Sequence, residues 1–313
     1  MRYLIMGAGA LGTVFGGKLA QAGYTVDFLG RGAHFQALRQ HGLQIDGLWG
    51  EVHLGPVAVP GPESRYDVVL LCVKSFDTVA AAQQVQGLIK PGGLVISIQN
   101  GLGNLEQLAQ TCPGAHLVGA RVIFGAKISR PGLATVTVYA DQVLLGPWPP
   151  GPEPPRLGEV AVHLNEAGIP TRVVPDIIPY IWAKVLYNGA LNPLGAILGK
   201  TYGELAAHPA TCQLMVDLIT EMYTVAAAKG VHLLQPTAAQ YCRHFFNELV
   251  PPTAAHHPSM LQDLQQGRRT EIEALNGAIC VYGRELGVPT PYNEAVCQLV
   301  RFLESQRRAI QEP

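Results

Sequence analysis

The order of apolar and polar positions divides the chain into a first half of short strands and helices and a second half of helices alone. In the first half, short apolar runs rich in β-branched residues are bounded by Gly, Pro or Asp: "RYLIM", "YTVDFLG", "YDVVLLCV" and "GGLVISI". Segments with helical spacing lie between them, such as "LGTVFGGKLAQAG" and "FDTVAAAQQVQGLI". This alternation predicts a parallel sheet with helices on both faces.

Three further apolar runs follow at closer spacing, which is typical of antiparallel strands: "HLVGARVIFGAKI", "LATVTVYA" and "QVLLG". Next comes the Pro-rich stretch "GPWPPGPEPPR", residues 146–156, whose composition could mark a domain boundary. The segment after it, "LGEVAVHLNEAGIPTRVV", has the pattern of one more helix and strand of the same sheet. We therefore interpret the proline stretch as a surface loop.

From about Asp176 onward the pattern is almost purely helical. After the opening helix we predict helices in five segments: "PATCQLMVDLITEMYTVAAAKG", "PTAAQYCRHFFNELV", "SMLQDLQQG", "TEIEALNGAICVYGRELG" and "PYNEAVCQLVRFLESQRRAI". The predicted fold class is α/β. A Rossmann-type, doubly wound and mainly parallel sheet is expected in residues 1–175, and an all-helical C-terminal domain in residues 176–313.

The opening helix of the second half, "PYIWAKVLYNGALNPLGAI" at residues 179–197, carries a polar stripe. Lys184, Asn188 and Asn192 are four residues apart and share one helix face. Polar side chains among so many apolar ones are costly unless they are used. Pro193 predicts a bend or break that helps to expose Asn192. Alternatively, Lys184 extends its amine to solvent and the asparagines satisfy local backbone groups.

Composition narrows the class of protein. Hydrophobic residues make up 48% and charged residues 14% of the chain, which is typical of a globular protein with a sizeable core. The formal net charge of -1 provides no basic field, so we expect neither nucleic acid nor a membrane surface as a partner. No apolar run reaches the roughly 18–20 residues of a membrane span. The start "MRYLIMGAGALG" leaves no room for a signal peptide, and the six scattered cysteines favour reduced thiols in the cytoplasm.

A glycine-rich loop follows the first predicted strand and opens the first predicted helix. It has the GxGxxG pattern, made by Gly7, Ala8, Gly9, Ala10, Leu11 and Gly12. In such a loop the first glycine permits a tight turn, the second lets backbone approach a pyrophosphate, and the third allows close helix–strand packing. The helix N-terminus stabilises negative charge. The motif alone is weak evidence, but its position in the chain predicts a dinucleotide site.

The end of the second strand distinguishes the two nicotinamide cofactors. An acidic residue there binds the ribose 2′-hydroxyl of NAD, whereas a cation binds the 2′-phosphate of NADP. Asp27 lies too early, and Arg31 is the residue that emerges into the loop, so we predict NADPH/NADP. Lys74 and Asn100 end two further strands at the same edge and are candidate cofactor contacts, with Asn100 on the nicotinamide side. Arg31 and Lys74 could also be solvated loop residues.

Two further sets of polar residues in the helical half are candidates for a site. In "HHPSMLQD", Ser259 and Gln262 fit a capping box, although a serine at a helix N-terminus could also bind a carboxylate. His256 and the next histidine have no third ligand at a useful spacing, so no metal site is expected. In "RRTEIEALNG", Glu271 and Glu273 are predicted to begin a helix, where acidic residues are favoured for dipole reasons alone.

With these motifs together, the chain resembles the ketopantoate reductase (2-dehydropantoate 2-reductase) family over essentially its full length. The segment "SMLQDLQQGRRTEIEALNG" is the most specific motif. The resemblance implies NADPH-dependent reduction of ketopantoate to pantoate, in pantothenate and coenzyme A biosynthesis. It implies a small-molecule 2-oxo acid as the partner of the protein.

The resemblance also implies a role for each matching residue. Lys184 is the expected proton donor, Glu271 orients it or holds the cofactor ribose, and Asn100 lies near the ketone. The expected substrate-binding residues are Asn188, Asn192 and Ser259. The expected cofactor contacts are Gly7, Ala8, Gly9, Ala10, Leu11, Gly12, Arg31, Lys74, Asn100, Glu271 and the main chain of Gly125.

Two positions depart from the family pattern. Tyr202, before "GEL", stands where members often carry an asparagine that contacts substrate, and His256 stands at another position that is often asparagine. A paralogous reductase of another 2-oxo acid is therefore an alternative. A β-hydroxyacid dehydrogenase relative would lack the paired "SMLQD" and "TEI" segments, and a non-catalytic NADP-binding sensor would bind cofactor without turnover. A homodimer is one candidate assembly of the protein.

Overall fold

The computed structural model describes residues 1–309, and its contacts divide the chain into two compact units. Unit 1 consists of Met1–Gln99 and Asn104–Ile178, and unit 2 of Asn100–Gly103 together with the chain from Pro179 onward. The segment Asn100–Gly103 therefore makes its contacts in the helical unit, although it lies in the sheet-forming half of the sequence. Ile310, at the end of the last predicted helix, lies outside the described residues.

Unit 1 contains a nine-stranded sheet and the helices that pack on it. Its strands are β1 (Arg2–Met6), β2 (Thr25–Leu29), β3 (Leu43–Gly47), β4 (Val52–Leu54), β5 (Tyr66–Leu71), β6 (Ile89–Ser97), β7 (His116–Arg130), β8 (Leu133–Trp148) and β9 (Thr171–Val173). Its helices are α1 (Ala10–Gln21), α2 (Gly32–His41), α3 (Thr78–Val85), α4 (Asn104–Thr111) and α5 (Leu157–Glu166). The strand order is β2-β1-β5-β6-β7-β8-β3-β4, and β9 pairs with β8.

The pairing of these strands confirms the predicted mainly parallel sheet. From β2 through β1, β5 and β6 to β7 every pair is parallel, whereas β7 and β8 are antiparallel. β5 is buried along its whole length and β1 at four of its five residues. A central parallel strand is covered on both faces, which is why these two segments are continuous apolar runs rather than alternating ones.

The sequence pattern was wrong about part of the sheet. The runs "LATVTVYA" and "QVLLG" are not separate strands but belong to one long strand, β8. The strand continues through polar Asp141 because this residue pairs with Ile123 of β7 and its carboxylate accepts a hydrogen bond from Arg121 at 2.7 Å. The short strands β3 and β4 were not predicted, since "LQIDG" and "VHL" carry too few apolar residues to form a clear pattern.

Unit 2 is helical. Its helices are α6 (Ile178–Leu198), α7 (Tyr202–Ala206), α8 (Pro209–Ala228), α9 (Ala238–His244), α10 (Ser259–Gln265), α11 (Asn276–Leu286) and α12 (Pro291–Ala309). The largest fully buried side chains described in this unit include Trp182, Tyr241 and Phe245. Met215 and Met222 of α8 are also fully buried. Among the described residues, no helix combines the length and the apolar character that crossing a membrane requires.

The helix α6 does not break at Pro193, and the prediction that Asn192 is exposed there is wrong, because Asn192 is buried. It continues to Leu198 with the proline inside it. A proline removes the backbone N–H that would bond to the carbonyl four residues earlier, here that of Gly189. The Gly189 oxygen instead accepts a hydrogen bond from Asn276 Nδ2 at 2.9 Å. The helix therefore persists because a side chain from a distant segment satisfies the carbonyl.

The helix α11 begins at Asn276, six residues later than the start of the predicted helical segment. Glu271 and Glu273 consequently lie in turns and do not begin a helix. Local hydrogen bonds compete with the helix here, because the Thr270 hydroxyl accepts from the backbone N–H of Ile272 at 3.2 Å. The backbone N–H of Thr270 is itself held by Glu304 of α12 at 2.6 Å.

Candidate active site

The glycine loop between β1 and α1 places its three glycines in different surroundings. Gly7 has φ +105°, a left-handed value that favours glycine, and a Cβ on it would lie 2.6 Å from the backbone N of Val73. A Cβ on Gly12 would overlap the Gly7 carbonyl oxygen. A Cβ on Gly9 would meet nothing within 4 Å. The loop is thus closed by protein at Gly7 and Gly12 and open at Gly9, where α1 begins without a side-chain cap.

Arg31 and Lys74 follow strands that flank β1 in the sheet, β2 and β5. Since the carboxyl ends of parallel strands meet at one edge, both residues lie at the edge that carries the glycine loop. The Arg31 side chain is 82% exposed and its guanidinium donates to Asp77 Oδ2 at 2.5 Å. Lys74 precedes the short helical turn Ser75–Asp77. This edge therefore carries an exposed guanidinium with a carboxylate beside it.

Two predicted cofactor contacts, Gly125 and Asn100, lie away from the glycine loop in sequence and belong to different units. Gly125 pairs with Val138 across the β7–β8 ladder, next to an irregularity in the register. Asn100 belongs to unit 2, where its Nδ2 lies 3.4 Å from Glu271 Oε2. The same loop is held by a backbone hydrogen bond from Leu102 to the carbonyl of Ala274 at 2.8 Å. Asn100 and Glu271, which were separate candidates in the sequence, are thus neighbours.

The polar stripe of α6 lies on successive turns of the helix. Lys184 and Asn188 are half-buried, and Asn192 is 4% exposed. The hydroxyl of Tyr202, the first residue of α7, donates to Asn192 Oδ1 at 2.6 Å. Burial, and to a lesser extent Tyr187, raises the pKa of Tyr202, so the phenol remains a protonated donor. In this arrangement the Oδ1 end of the Asn192 amide faces Tyr202 and its Nδ2 donor points away from the phenol.

Five of the predicted site residues line one small, open cavity in unit 2. The lining residues are Asn100, Asn188, Asn192, Ser259, Met260, Asp263, Glu271 and Leu275. Three carboxamides, a hydroxyl and two carboxylates make this lining predominantly polar. Lys184, one turn before Asn188, is not among the lining residues. Such a set can donate hydrogen bonds to a carboxylate and both donate to and accept from a hydroxyl.

Ser259 reaches the cavity from the first position of α10. The predicted capping box with Gln262 is wrong, because Pro258 occupies the N-cap position and no side chain caps this helix. The Ser259 side chain is instead exposed. Asp263, four residues later on the same helix face, is 4% exposed and accepts hydrogen bonds from Arg268 Nε at 2.9 Å and Nη2 at 2.7 Å. The serine is thus available to a ligand, whereas Asp263 is held by an arginine.

Glu271 and Glu273, which the sequence pattern could not distinguish, have different surroundings in the structure. Glu273 forms a two-pronged ion pair with Arg301 of α12, at 2.7 and 2.8 Å. The hydrogen bonds from this arginine lower the pKa of Glu273. Glu271 instead lines the cavity beside Asn100. Glu273 therefore pairs with α12, whereas Glu271 lies at the cavity.

Sequence reasoning missed two features of the cavity. Asp263 carries a readable signal, because it is four residues after Ser259 on one helix, the same spacing that revealed the stripe of α6. The contact of Tyr202 with Asn192 has no such signal, since it joins two helices across a turn. No group of three His, Cys, Asp or Glu side chains within residues 1–309 is arranged to hold a metal ion.

Comparisons with known proteins agree over both units. Two family models match, for ketopantoate reductase PanE/ApbA over residues 3–150 and for its C-terminal part over residues 176–304. The 2-dehydropantoate 2-reductase of Aquifex aeolicus (strain VF5) is 36% identical over 307 residues, 97% of each chain. A PanE/ApbA family ketopantoate reductase from Ralstonia eutropha JMP134 superposes with a TM-score of 0.86 at 32% identity, covering 98% of this chain and 100% of that one.

A structural neighbour with another name is also similar. The ternary structure of D-mandelate dehydrogenase with NADH and anilino(oxo)acetate has a TM-score of 0.88 at 28% identity, covering 98% of this chain and 99% of that one. Ketopantoate reductases are NADPH-dependent oxidoreductases. Because the family models and the relatives above 30% identity together cover nearly all of the sequence, the chain belongs to the ketopantoate reductase family.

Proposed function

We propose that the protein reduces 2-dehydropantoate (ketopantoate) to pantoate with NADPH, a step in the supply of pantothenate and coenzyme A. The observation that carries this proposal is the cavity where Asn188, Asn192, Ser259 and Glu271 meet. These residues come from three separate segments and are the ones that the family motifs mark. The relatives named 2-dehydropantoate 2-reductase support the choice of substrate.

The carboxamides and the serine would bind the substrate. Asn192 Nδ2, directed away from Tyr202, is a donor suited to a carboxylate oxygen. Asn188 lies one turn earlier on the same face, and the exposed Ser259 hydroxyl can both donate and accept. Together these groups would bind the carboxylate and the hydroxyl of ketopantoate, with Asn100 near the ketone.

Lys184 is the proposed proton donor. An ammonium within hydrogen-bond reach stabilises the negative charge that develops on the ketone oxygen and then donates a proton to it. Lys184 is the cation of the polar stripe, one turn from Asn188. Glu271 would orient Lys184 or hold the ribose of the cofactor.

The residues of unit 1 fit a dinucleotide. The open space over Gly9 and the uncapped start of α1 leave room and backbone N–H groups for a pyrophosphate. The loop Gly7–Gly12, Arg31, Lys74 and the main chain of Gly125 would hold NADPH, with Arg31 on the 2′-phosphate. When bound, NADPH supplies the hydride.

The test of the proposal is NADPH oxidation with ketopantoate by the wild-type protein and by Lys184→Ala. We expect kcat/KM to fall by about 10²–10⁴-fold in this variant, since a general acid contributes that much. The Kd for NADPH, from fluorescence titration, should not change. Lys200→Ala is the matched control, because Lys200 forms an ion pair with exposed Glu204.

Three outcomes of this test are decisive. Wild-type-like turnover in Lys184→Ala contradicts the role of the lysine. An equal loss in Lys200→Ala would show that removing any lysine from this region suffices. No NADPH oxidation by the wild-type protein with ketopantoate contradicts the proposed substrate.

A second candidate function is reduction of another 2-oxo acid. It is favoured by Tyr202, whose ring packs on His256 and Tyr187 at centroid distances of 5.2 and 5.8 Å, and by the likeness to D-mandelate dehydrogenase. Steady-state kinetics with 2-oxo acids carrying straight, branched and phenyl side chains separate the two candidates. The highest kcat/KM with ketopantoate supports the first, and the highest with a phenyl-substituted acid supports the second.

The proposal extends to domains, location and assembly. Residues 1–175 would form the NADP-binding domain and residues 176–313 the substrate-binding and catalytic domain. The six cysteines form no disulfide, which suits the cytoplasm as the proposed location. We propose a homodimer as one candidate assembly, and light scattering on the purified protein measures its mass in solution.

A further inference from the structure

A single side chain joins two walls of the cavity in unit 2. Pro193 leaves the Gly189 carbonyl of α6 without its helical donor, and Asn276 Nδ2 supplies the missing hydrogen bond at 2.9 Å. Gly189 lies directly after Asn188, and Asn276 directly after Leu275, both of which line the cavity. Asn276 is 0% exposed, so this bond is shielded from water.

The Glu221 carboxylate determines the orientation of the Asn276 amide through Asn293, which hydrogen-bonds to both. Glu221 accepts hydrogen bonds from the backbone N–H groups of Tyr292 and Asn293, at 2.9 and 3.0 Å, and from Asn293 Nδ2 at 2.7 Å. A carboxylate accepts but does not donate, so Asn293 must point Nδ2 at Glu221 and Oδ1 at Asn276. Asn276 must then present Nδ2 to Asn293, at 3.0 Å.

The second hydrogen of the same Nδ2 is the one that reaches Gly189. This arrangement leaves Asn276 Oδ1 buried without a hydrogen-bond partner among the described residues. An unsatisfied buried oxygen is destabilising, and an apolar side chain of the same shape would avoid it. The donor that Asn276 provides to α6 is the interaction that such an apolar residue could not replace.

Close approach of the helices makes the bond specific to this turn of α6. A Cβ on Gly189 would lie 3.4 Å from Asn276 Nδ2 and 2.5 Å from Met222 Cε of α8. A Cβ at position 189 would therefore displace the end of the Met222 side chain and lie in van der Waals contact with Asn276 Nδ2. The turn between Asn188 and Asn192 is thus held directly through its backbone.

We propose that Asn276 is a positioning residue that sets the Asn188–Asn192 turn of α6 relative to the segment that carries Glu271. It acts through the carbonyl that Pro193 leaves open, and Glu221 and Asn293 set its orientation. The inference rests on the proposed function for the choice of substrate. The geometric part of it does not depend on which 2-oxo acid is reduced.

The test is a double-mutant cycle between Asn276→Leu and Pro193→Ala. Asn276→Leu removes the donor at similar volume, and we expect KM for ketopantoate to rise about tenfold or more, with a smaller change in kcat and none in the Kd for NADPH. Pro193→Ala restores a backbone N–H to the Gly189 carbonyl. In that background we expect Asn276→Leu to raise KM by less than about threefold.

Hydrogen exchange supplies a readout that needs no substrate. The amides of residues 188–192 should exchange faster in Asn276→Leu and return toward wild-type rates in the double variant. Tyr223→Phe is the matched control, since it removes a hydrogen bond of unit 2 to the Gln235 carbonyl, at 3.1 Å, and should change neither KM nor these rates. If Asn276→Leu does not fold, Asn276→Ser enters the same cycle.

Two results would overturn the proposal: the same rise in KM in both backgrounds, or exchange rates that Pro193→Ala does not restore. A wild-type protein that is inactive with ketopantoate contradicts the proposed function instead. The exchange measurements then decide the positioning role alone.

Discussion

The glycine loop of unit 1 and the cavity of unit 2 are both built from residues with a recognisable pattern, but they are held in place differently. The loop spans six successive residues, and its shape depends on the absence of side chains at Gly7 and Gly12. The cavity is lined by four separate segments. The helical turn between two of its asparagines depends on a contact far along the chain, the bond between Gly189 and Asn276 across 87 residues. Local backbone geometry shapes the first region, and long-range side-chain contacts shape the second.

The largest effect is expected from Gly12→Ala. The added Cβ would overlap the Gly7 carbonyl oxygen, which is backbone and cannot move away without distorting the loop. We expect the free energy of unfolding to fall by about 3 kcal/mol or more, at the upper end of overpacking effects. Chemical denaturation measures this loss.

Gly9→Ala is the matched variant, because a Cβ at Gly9 meets no protein atom within 4 Å. Its free energy of unfolding should stay within about 0.5 kcal/mol of wild type. The Kd for NADPH should nevertheless rise about tenfold or more, since the methyl group would occupy the space through which backbone approaches the pyrophosphate. Equal losses of stability in both variants would show that Gly9 is packed as closely as Gly12, which contradicts the open space over Gly9.

The same difference explains how much the sequence could predict. The strand β1, the loop and the helix α1 were predicted because each depends on a local pattern. The stripe of α6 was predicted from its period of four residues. The late start of α11 was not, because the turn that carries Glu271 is held by Thr270 and by Glu304 of another helix. The continuation of α6 through Pro193 likewise depends on a donor that no local pattern reveals.

Tyr202→Phe tests whether long-range contacts set the chemistry of the cavity. It removes the hydroxyl that donates to Asn192 Oδ1, so the amide is free to rotate and no longer presents Nδ2 consistently. We expect KM for the 2-oxo acid to rise by about 5–30-fold, the equivalent of roughly 1–2 kcal/mol, with the Kd for NADPH unchanged.

The control for this variant is Tyr187→Phe. The Tyr187 hydroxyl bonds to Thr253 Oγ1 at 2.6 Å, and its ring packs on Tyr202, yet the described structure has no hydrogen bond between Tyr187 and Asn192. A similar rise in KM in both variants would mean that the aromatic cluster matters and the orientation of Asn192 does not.

A smaller effect is expected from pH on the stability of unit 1, through His34 beside α1. His34 Nε2 lies 2.9 Å from Thr13 Oγ1 of α1, and His34 Nδ1 accepts from the backbone N–H of Gly132 at 3.1 Å. Burial lowers the pKa of His34 from its ordinary value of 6.5, and a backbone hydrogen bond at Arg130 offsets this in part. The neutral ring is favoured in the folded state. Its contribution to stability is therefore complete above pH 6.5 and is lost as the pH falls through the lowered pKa.

His34→Gln should remove this part of the pH dependence. The free energy of unfolding, measured by denaturation from about pH 7.5 to pH 5, should fall more steeply in the wild type than in the variant. Identical slopes would show that His34 does not couple α1 to protonation. The loop would then depend on its glycines alone, which would sharpen the comparison.

The smallest effect is expected from Asp77→Asn, which changes a side-chain contact of Arg31 at the cofactor edge. The Asp77 carboxylate accepts from Arg31 at 2.5 Å and would compete with a 2′-phosphate for the same guanidinium. Asparagine retains the shape and suits the N-cap position that Asp77 holds in α3. Because exposed ion pairs contribute at most about 1 kcal/mol, we expect the Kd for NADPH to fall only about 2–5-fold, with the Kd for NADH unchanged.

The ratio of the two dissociation constants is the informative quantity in Asp77→Asn. If only NADPH binds more tightly, Asp77 acts through Arg31 on the 2′-phosphate, and unit 1 also contains a side-chain contact that tunes its ligand. If both cofactors change equally, Asp77 acts on the part that they share, and the assignment of Arg31 to the 2′-phosphate is contradicted. In the first case, the shape of the glycine loop is set by backbone packing, and side-chain contacts tune ligand binding in both units.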